Sequence, residues 1–478
     1  MEVKLPVTAA ERFPAVSFGT SGVRALVADL RPEAVAGYIY AFAQRMRESN
    51  YLPDGAVVAV GMDLRPSSPA IAAVVCGALD AMGYRAEFLG SLPTPALALR
   101  CLSSETPGVM VTGSHIPFDR NGIKFYSPFG EILKEDEQAI VACPIPREWL
   151  EKLPAAPSLP EACPDATQAY VERYISRFGA QCLTGWRVGV YEHSAVGRDL
   201  TKSVLQQLGA TVMPLGRSDD FVPVDTEAVS ENDLRLAAQW CAEHRLDALV
   251  STDGDGDRPL VFDAQGQFIR GDVLGLLCAR YLGLRALAIP VSCNTAIEKA
   301  GVFGHVVRTR IGSPYVVAAM NHLVRLGEQS VGGFEANGGF LLGSALPGLS
   351  ALPTRDALLP LVAVLSAAAA QEVPLATLVE ALPARFTYSD RIKDVPVEYS
   401  RAFLSRLLGE PLFRETLFSE KPSVASIDTT DGVRLTFEDG DVVHIRPSGN
   451  APELRCYTEA GSYEAAKTLC TSTLGHIR

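Results

Sequence analysis

What most constrains the fold of this chain is a unit that recurs three times before residue 340. Val57-Val-Ala-Val-Gly-Met-Asp63 has the uninterrupted apolar run of a strand covered on both faces. A polar loop, an apolar helical stretch to Met82 and a second strand, Gly83-Tyr-Arg-Ala-Glu-Phe-Leu89, follow it. Val188-Gly-Val-Tyr191 opens the same series, with Gly197 in the loop, a helix over Leu200 to Leu208 and the strand Gly209-Ala-Thr-Val-Met213. A shorter copy starts at Ala286-Leu-Ala-Ile289 and runs through Ile297 to Val306-Val307. Each copy then reaches a further apolar strand whose carboxyl end opens into an unusual loop: Val109-Met-Val-Thr-Gly-Ser-His115, Leu249-Val-Ser-Thr-Asp253 and Ser330-Val-Gly-Gly-Phe-Glu335. Carboxyl ends of strands are where open α/β sheets bind ligands, so the three loops are equivalent candidates for a site.

After about residue 385 the pattern changes. Val433-Arg-Leu-Thr-Phe437 and Val442-Val-His-Ile445 alternate apolar with polar around Glu438-Asp-Gly-Asp441, a hairpin signature, and a helix over Tyr463 to Leu474 closes the chain. The expected class is α/β: three similar α/β domains with mixed sheets, at 1–155, 156–265 and 266–384, plus a C-terminal α+β domain at 385–478. Proline- and alanine-rich stretches at Leu153 to Ala166 and around Leu352 to Pro353 read as joints, the second equally as a surface loop. At 478 residues, several cores are required.

No stretch approaches 18 uninterrupted apolar residues, and MEVKLPVTAAERFP has neither the basic start nor the apolar core of a signal peptide. The ten cysteines form no C-x-x-C pair, which points to reduced thiols and not to zinc or a disulfide framework. The expectation is a cytoplasmic protein with no membrane partner; monomer and dimer stay open. A formal charge of −12 without a Lys/Arg-rich run argues against nucleic acid. An anionic substrate must then meet a local basic cluster.

The second loop, Asp253-Gly-Asp-Gly-Asp-Arg258, places three carboxylates at alternate positions. Two unit charges about 5 Å apart repel by ~3 kcal/mol at an effective dielectric of about 20, and by under ~1 kcal/mol in open water, so burial decides whether the triad needs a cation. A solvated acidic turn is the plain alternative. An EF-hand fails, because Arg258 and Ala264 stand where that loop needs Gly and Glu. Three carboxylates with coordination positions left open suit Mg²⁺ shared with a substrate phosphate. In the first loop Ser114 is a hydroxyl at a strand exit, which in isolation is more often a turn residue. His115, its neighbour, is expected to point away. Lys124 returns on the next strand within reach of the same cleft. Arg446-Pro-Ser-Gly-Asn-Ala-Pro-Glu-Leu-Arg455 assembles donors for one tetrahedral anion, although salt-bridged arginines at a hairpin exit would read the same. Neither a P-loop nor G-x-G-x-x-G is present, so nothing ties the phosphate to a nucleotide.

Taken in order, Phe18-Gly-Thr-Ser-Gly-Val-Arg24, Thr112-Gly-Ser-His-Ile-Pro117, Asp253-Gly-Asp-Gly-Asp-Arg258, Phe334-Glu-Ala-Asn-Gly-Gly339 and Arg446-Pro-Ser-Gly-Asn450 resemble the motifs of the α-D-phosphohexomutases across nearly the whole chain. The resemblance implies four domains around a central cleft. It implies a phosphoserine at Ser114, Mg²⁺ held by Ser114 phosphate and Asp253, Asp255 and Asp257, and help from Arg24, Lys124 and Arg258, with Lys124 or Arg24 managing the proton. Glu335 and Asn337 would hold sugar hydroxyls, and Arg446, Ser448, Gly449, Asn450 and Arg455 the phosphate that does not react. The implied substrate is a hexose phosphate, interconverted through a hexose 1,6-bisphosphate that also activates the enzyme. Met62-Asp-Leu-Arg65 resembles a further family loop with a structural role. Two departures stand out: Ile116-Pro117 where the family usually has Asn-Pro, and Phe334-Glu-Ala-Asn-Gly-Gly where it usually has Gly-Glu-x-Ser-Gly-His. The variant sugar loop is similar to that of phosphomannomutases of bacterial polysaccharide synthesis; glucose and glucosamine phosphates are the alternatives. A metal-dependent phosphatase and a catalytically silent phosphosugar binder are the rivals from other classes.

Overall fold

A computed structural model describes residues 7–19, 22–151, 153, 157–448 and 453–477. Three sheets repeat one strand order. In the first, Val57–Met62 lies between Arg85–Ser91 and Gly108–Val111, all parallel, and Arg120–Ser127 returns antiparallel beside Gly108–Val111. In the second, Arg187–His193 lies between Thr211–Arg217 and Ala248–Thr252, with Pro259–Asp263 antiparallel. In the third, Ala286–Pro290 lies between His305–Thr309 and Val331–Phe334, with Phe340–Leu342 antiparallel. The three unusual loops therefore occupy the same place, between the third parallel strand and its antiparallel return. Central strands such as Ala248–Thr252 and Ala286–Pro290 are buried throughout, as sheets covered on both faces require.

The fourth sheet is antiparallel, ordered Phe386–Lys393, Glu453–Ala460, Val442–Pro447, Val433–Phe437 and Val424–Asp428, with the helix Tyr463–Gly475 packed on it. Val433–Phe437 and Val442–Pro447 form the expected hairpin.

One expectation needs correction. Leu352–Asp356 is a buried strand of the third sheet, not a joint or a surface loop; Pro353 is tolerated because this strand forms the sheet's edge. The short strand Phe268–Ile269 pairs antiparallel with Pro259–Asp263 at the end of the second sheet. Among the described residues no helix is long and apolar enough to cross a membrane.

One hydrophobic cluster runs through the first three units, from Leu97 and Met110 through Val188 and Val250 to Phe334 and Leu365. The C-terminal unit has its own cluster around Leu407, Leu435, Val443 and Leu454. It meets the third unit through polar contacts: Thr295 N and Oγ1 donate to the Glu459 carboxylate, Asn294 Nδ2 to Arg385 O, and Ile311 N to Asp431 Oδ2.

Candidate active site

Ser114 stands where Gly108–Val111 ends, fully buried, at φ 53°. Its loop is built around Arg65. The guanidinium donates to the carbonyls of Ser114 (2.8 Å), Ile116 (2.5 Å), Pro117 (2.8 Å) and Arg120 (2.9 Å) and lies 3.3 Å from Asp63. Asp63 in turn accepts from Ser68 Oγ and Thr112 Oγ1. The structural role expected of Met62–Arg65 is thereby given its atoms.

Ser114 Oγ lies 2.6 Å from Asp253 Oδ2 and 3.2 Å from His115 Nδ1. The second contact overturns the expectation that His115 points away. Side chains alternate only along an extended strand, and the left-handed backbone at Ser114 breaks the alternation, bringing both side chains to the same side, with His115 bordering the cleft. Burial, with the nearby Arg258 and Arg24, holds His115 far below the ordinary histidine range, so its imidazole is neutral.

The aspartates of the metal-type loop are fully buried, and one oxygen from each lies within 4.8 Å of the others. Glycine is needed here for contact: a Cβ at Gly254 would stand 2.8 Å from Ser114 O, so this residue lets the acidic loop press against the serine loop. Lys124 Nζ bridges Asp255 Oδ2 and Asp257 Oδ2, each at 2.6 Å. Burial works against that ammonium, but Asp255 and Asp257 outweigh it and raise its pKa, so Lys124 is held protonated and is not free to take a proton in this state. Thr94 Oγ1 donates to Asp255 Oδ2 at 2.6 Å. Arg258 Nε is 3.7 Å from Asp257 Oδ1, outside hydrogen-bonding distance. Half-buried Arg24 lines the same cleft, its pKa lowered to about 10 by burial and by Arg258.

The residues fit a hard divalent cation. Asp255 Oδ1 and Asp257 Oδ1 are buried without a hydrogen-bond partner, an arrangement that is costly unless something else engages them. The triad's charge is already partly offset by Lys124 and by Arg355, which sequence reasoning missed. Arg355 donates to Asp257 Oδ2 and to Glu335 Oε2, joining the metal-type loop to the sugar-type loop. Its only sequence signal is a charge inside a run that packs as strand.

Glu335 and Asn337 both border the cleft. Asn337 Oδ1 accepts from Gly339 N at 3.0 Å, which leaves its amide group for a ligand. Opposite, Arg446 and Arg455 pair in register on adjacent strands, with Ser448 just beyond Arg446. Arg446 Nε is 3.2 Å from Asp431 Oδ1, while Arg455 Nε is buried without a partner. Gly449 and Asn450 lie outside the described residues. All of this encloses a cavity of about 540 Å³ bordered by Arg24, His115, Arg258, Glu335, Arg446 and Arg455 among others. Residues from all five motif segments thus border one cleft.

Family models match in four consecutive segments. They are the phosphoglucomutase/phosphomannomutase alpha/beta/alpha domain I at residues 15–145, domain II at 168–266, domain III at 270–386 and the C-terminal domain at 391–475. A phosphomannomutase of Salmonella muenchen is 46% identical over 97% of this chain and 96% of its own length. One of Sinorhizobium fredii is 45% identical over 96% of this chain and 98% of its own. The crystal structure of a phosphoglucomutase/phosphomannomutase family protein from Burkholderia thailandensis superposes with a TM-score of 0.76 at 20% identity, covering 96% of each chain.

Proposed function

Since the chain belongs to the phosphoglucomutase/phosphomannomutase family, we infer that it is a phosphomannomutase interconverting mannose 6-phosphate and mannose 1-phosphate. The observation that carries the chemistry is Ser114 Oγ hydrogen-bonded to Asp253 within a fully buried acidic triad. In this reading Ser114 carries a phosphoryl group. The Oγ–P bond breaks as a sugar hydroxyl bonds to phosphorus, and the proton the hydroxyl loses balances the one Ser114 Oγ regains. The product is a hexose 1,6-bisphosphate, which turns over and returns its other phosphoryl to Ser114.

Asp253, Asp255 and Asp257 would hold Mg²⁺, which when bound neutralises phosphoryl charge. Arg24, Arg258 and Lys124 supply fixed positive charge around the transferring group, the main protein contribution to phosphoryl transfer. Glu335 and Asn337 orient sugar hydroxyls. Arg446, Ser448 and Arg455, with Gly449 and Asn450, hold the distal phosphate. A volume of about 540 Å³ suits a ligand that must reorient without leaving.

The test is intact-protein mass spectrometry with peptide mapping, combined with coupled assays on mannose, glucose and glucosamine phosphates. Phosphate at Ser114 and highest kcat/KM on mannose phosphate are expected, with Ser114→Ala losing ~10⁴-fold or more. Phosphate mapped only elsewhere, or normal turnover in the alanine variant, would refute the mechanism. Rapid release of inorganic phosphate would favour a phosphatase.

A further inference from the structure

Arg355 is 3% exposed and stands on the edge strand Leu352–Asp356, yet its guanidinium reaches two loops of the cleft. Nε and Nη2 lie 3.1 and 2.8 Å from Asp257 Oδ2, and Nη1 lies 2.9 Å from Glu335 Oε2. Nη1 is also 3.4 Å from Ser313 Oγ, which donates to Glu131 Oε2 at 2.6 Å; Thr354 Oγ1 donates to Glu131 Oε1 at 2.8 Å. The arginine is thus braced from the first unit while it grips the second and third. Space is reserved for it as well: a Cβ at Gly339 would stand 2.7, 2.8 and 3.0 Å from Arg355 Cδ, Cγ and Cβ. Cγ and Cβ are the near end of the side chain and cannot swing away as a flexible tip could.

We propose that Arg355 is a positioning residue that locks Glu335 for the sugar and ties it to the metal-type loop, and that Gly339 is glycine so that this arginine can pass. The inference rests on the phosphohexomutase reading and deepens it to the sugar subsite. With Oε2 taken by Arg355, Oε1 is the oxygen left to accept a sugar hydroxyl, so the direction of that acceptor is set by a fork from outside the loop. A planar fork with several donors serves two carboxylates at once; a lysine ammonium is a single compact point and cannot reproduce both contacts in this geometry. Losing the fork should therefore cost affinity for the sugar more than for inorganic phosphate.

The test compares Arg355→Ala, Arg355→Lys, Gly339→Ala and the Gly339→Ala/Arg355→Ala double variant. Calorimetry reads mannose 6-phosphate and inorganic phosphate binding in magnesium-free buffer, urea denaturation reads stability, and steady-state assays read kcat and KM. Arg355→Ala should weaken mannose 6-phosphate binding by about tenfold with little change for inorganic phosphate, and Arg355→Lys should not restore it. Gly339→Ala should weaken it similarly in the wild-type background and by less than about twofold once Arg355 is gone, since the group it strikes is absent. Equal effects of Gly339→Ala in both backgrounds overturn the proposal, as does an Arg355→Ala protein that is merely less stable and binds the sugar phosphate normally. A wild type that binds no hexose phosphate refutes the mutase reading itself. In that event, non-additive urea midpoints would still establish the Arg355–Gly339 contact, and additive ones would remove it too.

Discussion

At the scale of single residues, the serine loop depends on Arg65, whose buried guanidinium serves four carbonyls and Asp63. Arg65→Ala strands those acceptors and leaves a buried carboxylate without its cation, a change worth about 3–5 kcal/mol. A lower urea midpoint together with reduced kcat is expected, and Arg65→Lys should rescue little because an ammonium cannot reach four carbonyls from one position. Asp255→Asn has a different signature. It removes one candidate metal oxygen and weakens the hold on Lys124, while Thr94 can still donate to the remaining amide oxygen. The fold should persist, turnover should fall sharply, and added Mg²⁺ should raise the melting temperature far less than in the wild type. Full wild-type activity in chelator would refute the metal assignment.

At the scale of elements, buried histidines on the strands are expected to carry acid sensitivity. His193 closes the strand Arg187–His193 and His444 lies within Val442–Pro447; burial lowers each from the ordinary 6.5 to about 4. Each donates from Nε2, to Thr252 O and Asp431 O respectively, while Nδ1 is buried without a hydrogen-bond partner. A lowered histidine pKa means that the unfolded chain binds protons first. Stability is therefore full above about pH 6.5 and declines as pH falls toward 4, by up to about 3 kcal/mol per histidine. Denaturant titrations at pH 7.5 and 4.5 should show this slope, reduced in His193→Gln. An unchanged slope in that variant would rule out His193 as a source.

At the scale of the whole molecule, a shared apolar core joins the first three units, whereas the fourth has its own and meets the third through polar contacts. Such an interface is easier to open, as the hold proposed for Arg446 and Arg455 on a distal phosphate would require. Arg446→Ala should chiefly raise KM, by about tenfold or more, because a distal phosphate is held alike in ground and transition states. A fall in kcat at constant KM would contradict this. The first three units are fastened differently: Tyr170 and Tyr174 both donate to the buried Asp356 carboxylate, locking the helix Asp165–Phe178 to the third sheet.

The alternation and run lengths of the sequence were enough to mark the strand–helix–strand units, the hairpin unit after residue 385 and the strand ends at which the unusual loops open, because these follow from local periodicity; the roles given to the serine, acidic, sugar and phosphate loops came from the family motifs. Its family motifs were enough to identify the class of reaction. What periodicity cannot encode is which remote atoms meet. Leu352–Asp356 read as a joint because proline and a charge interrupt the apolar pattern, and only the sheet edge shows why proline fits there and where Arg355 goes. His115 faces Ser114 because one residue takes a left-handed backbone, which no alternation rule anticipates. Lys124 and Arg355 sit among the aspartates because three units, folded on a common core, bring basic groups from distant segments to the acidic loop. The charge was written in the sequence; its compensation was decided by packing.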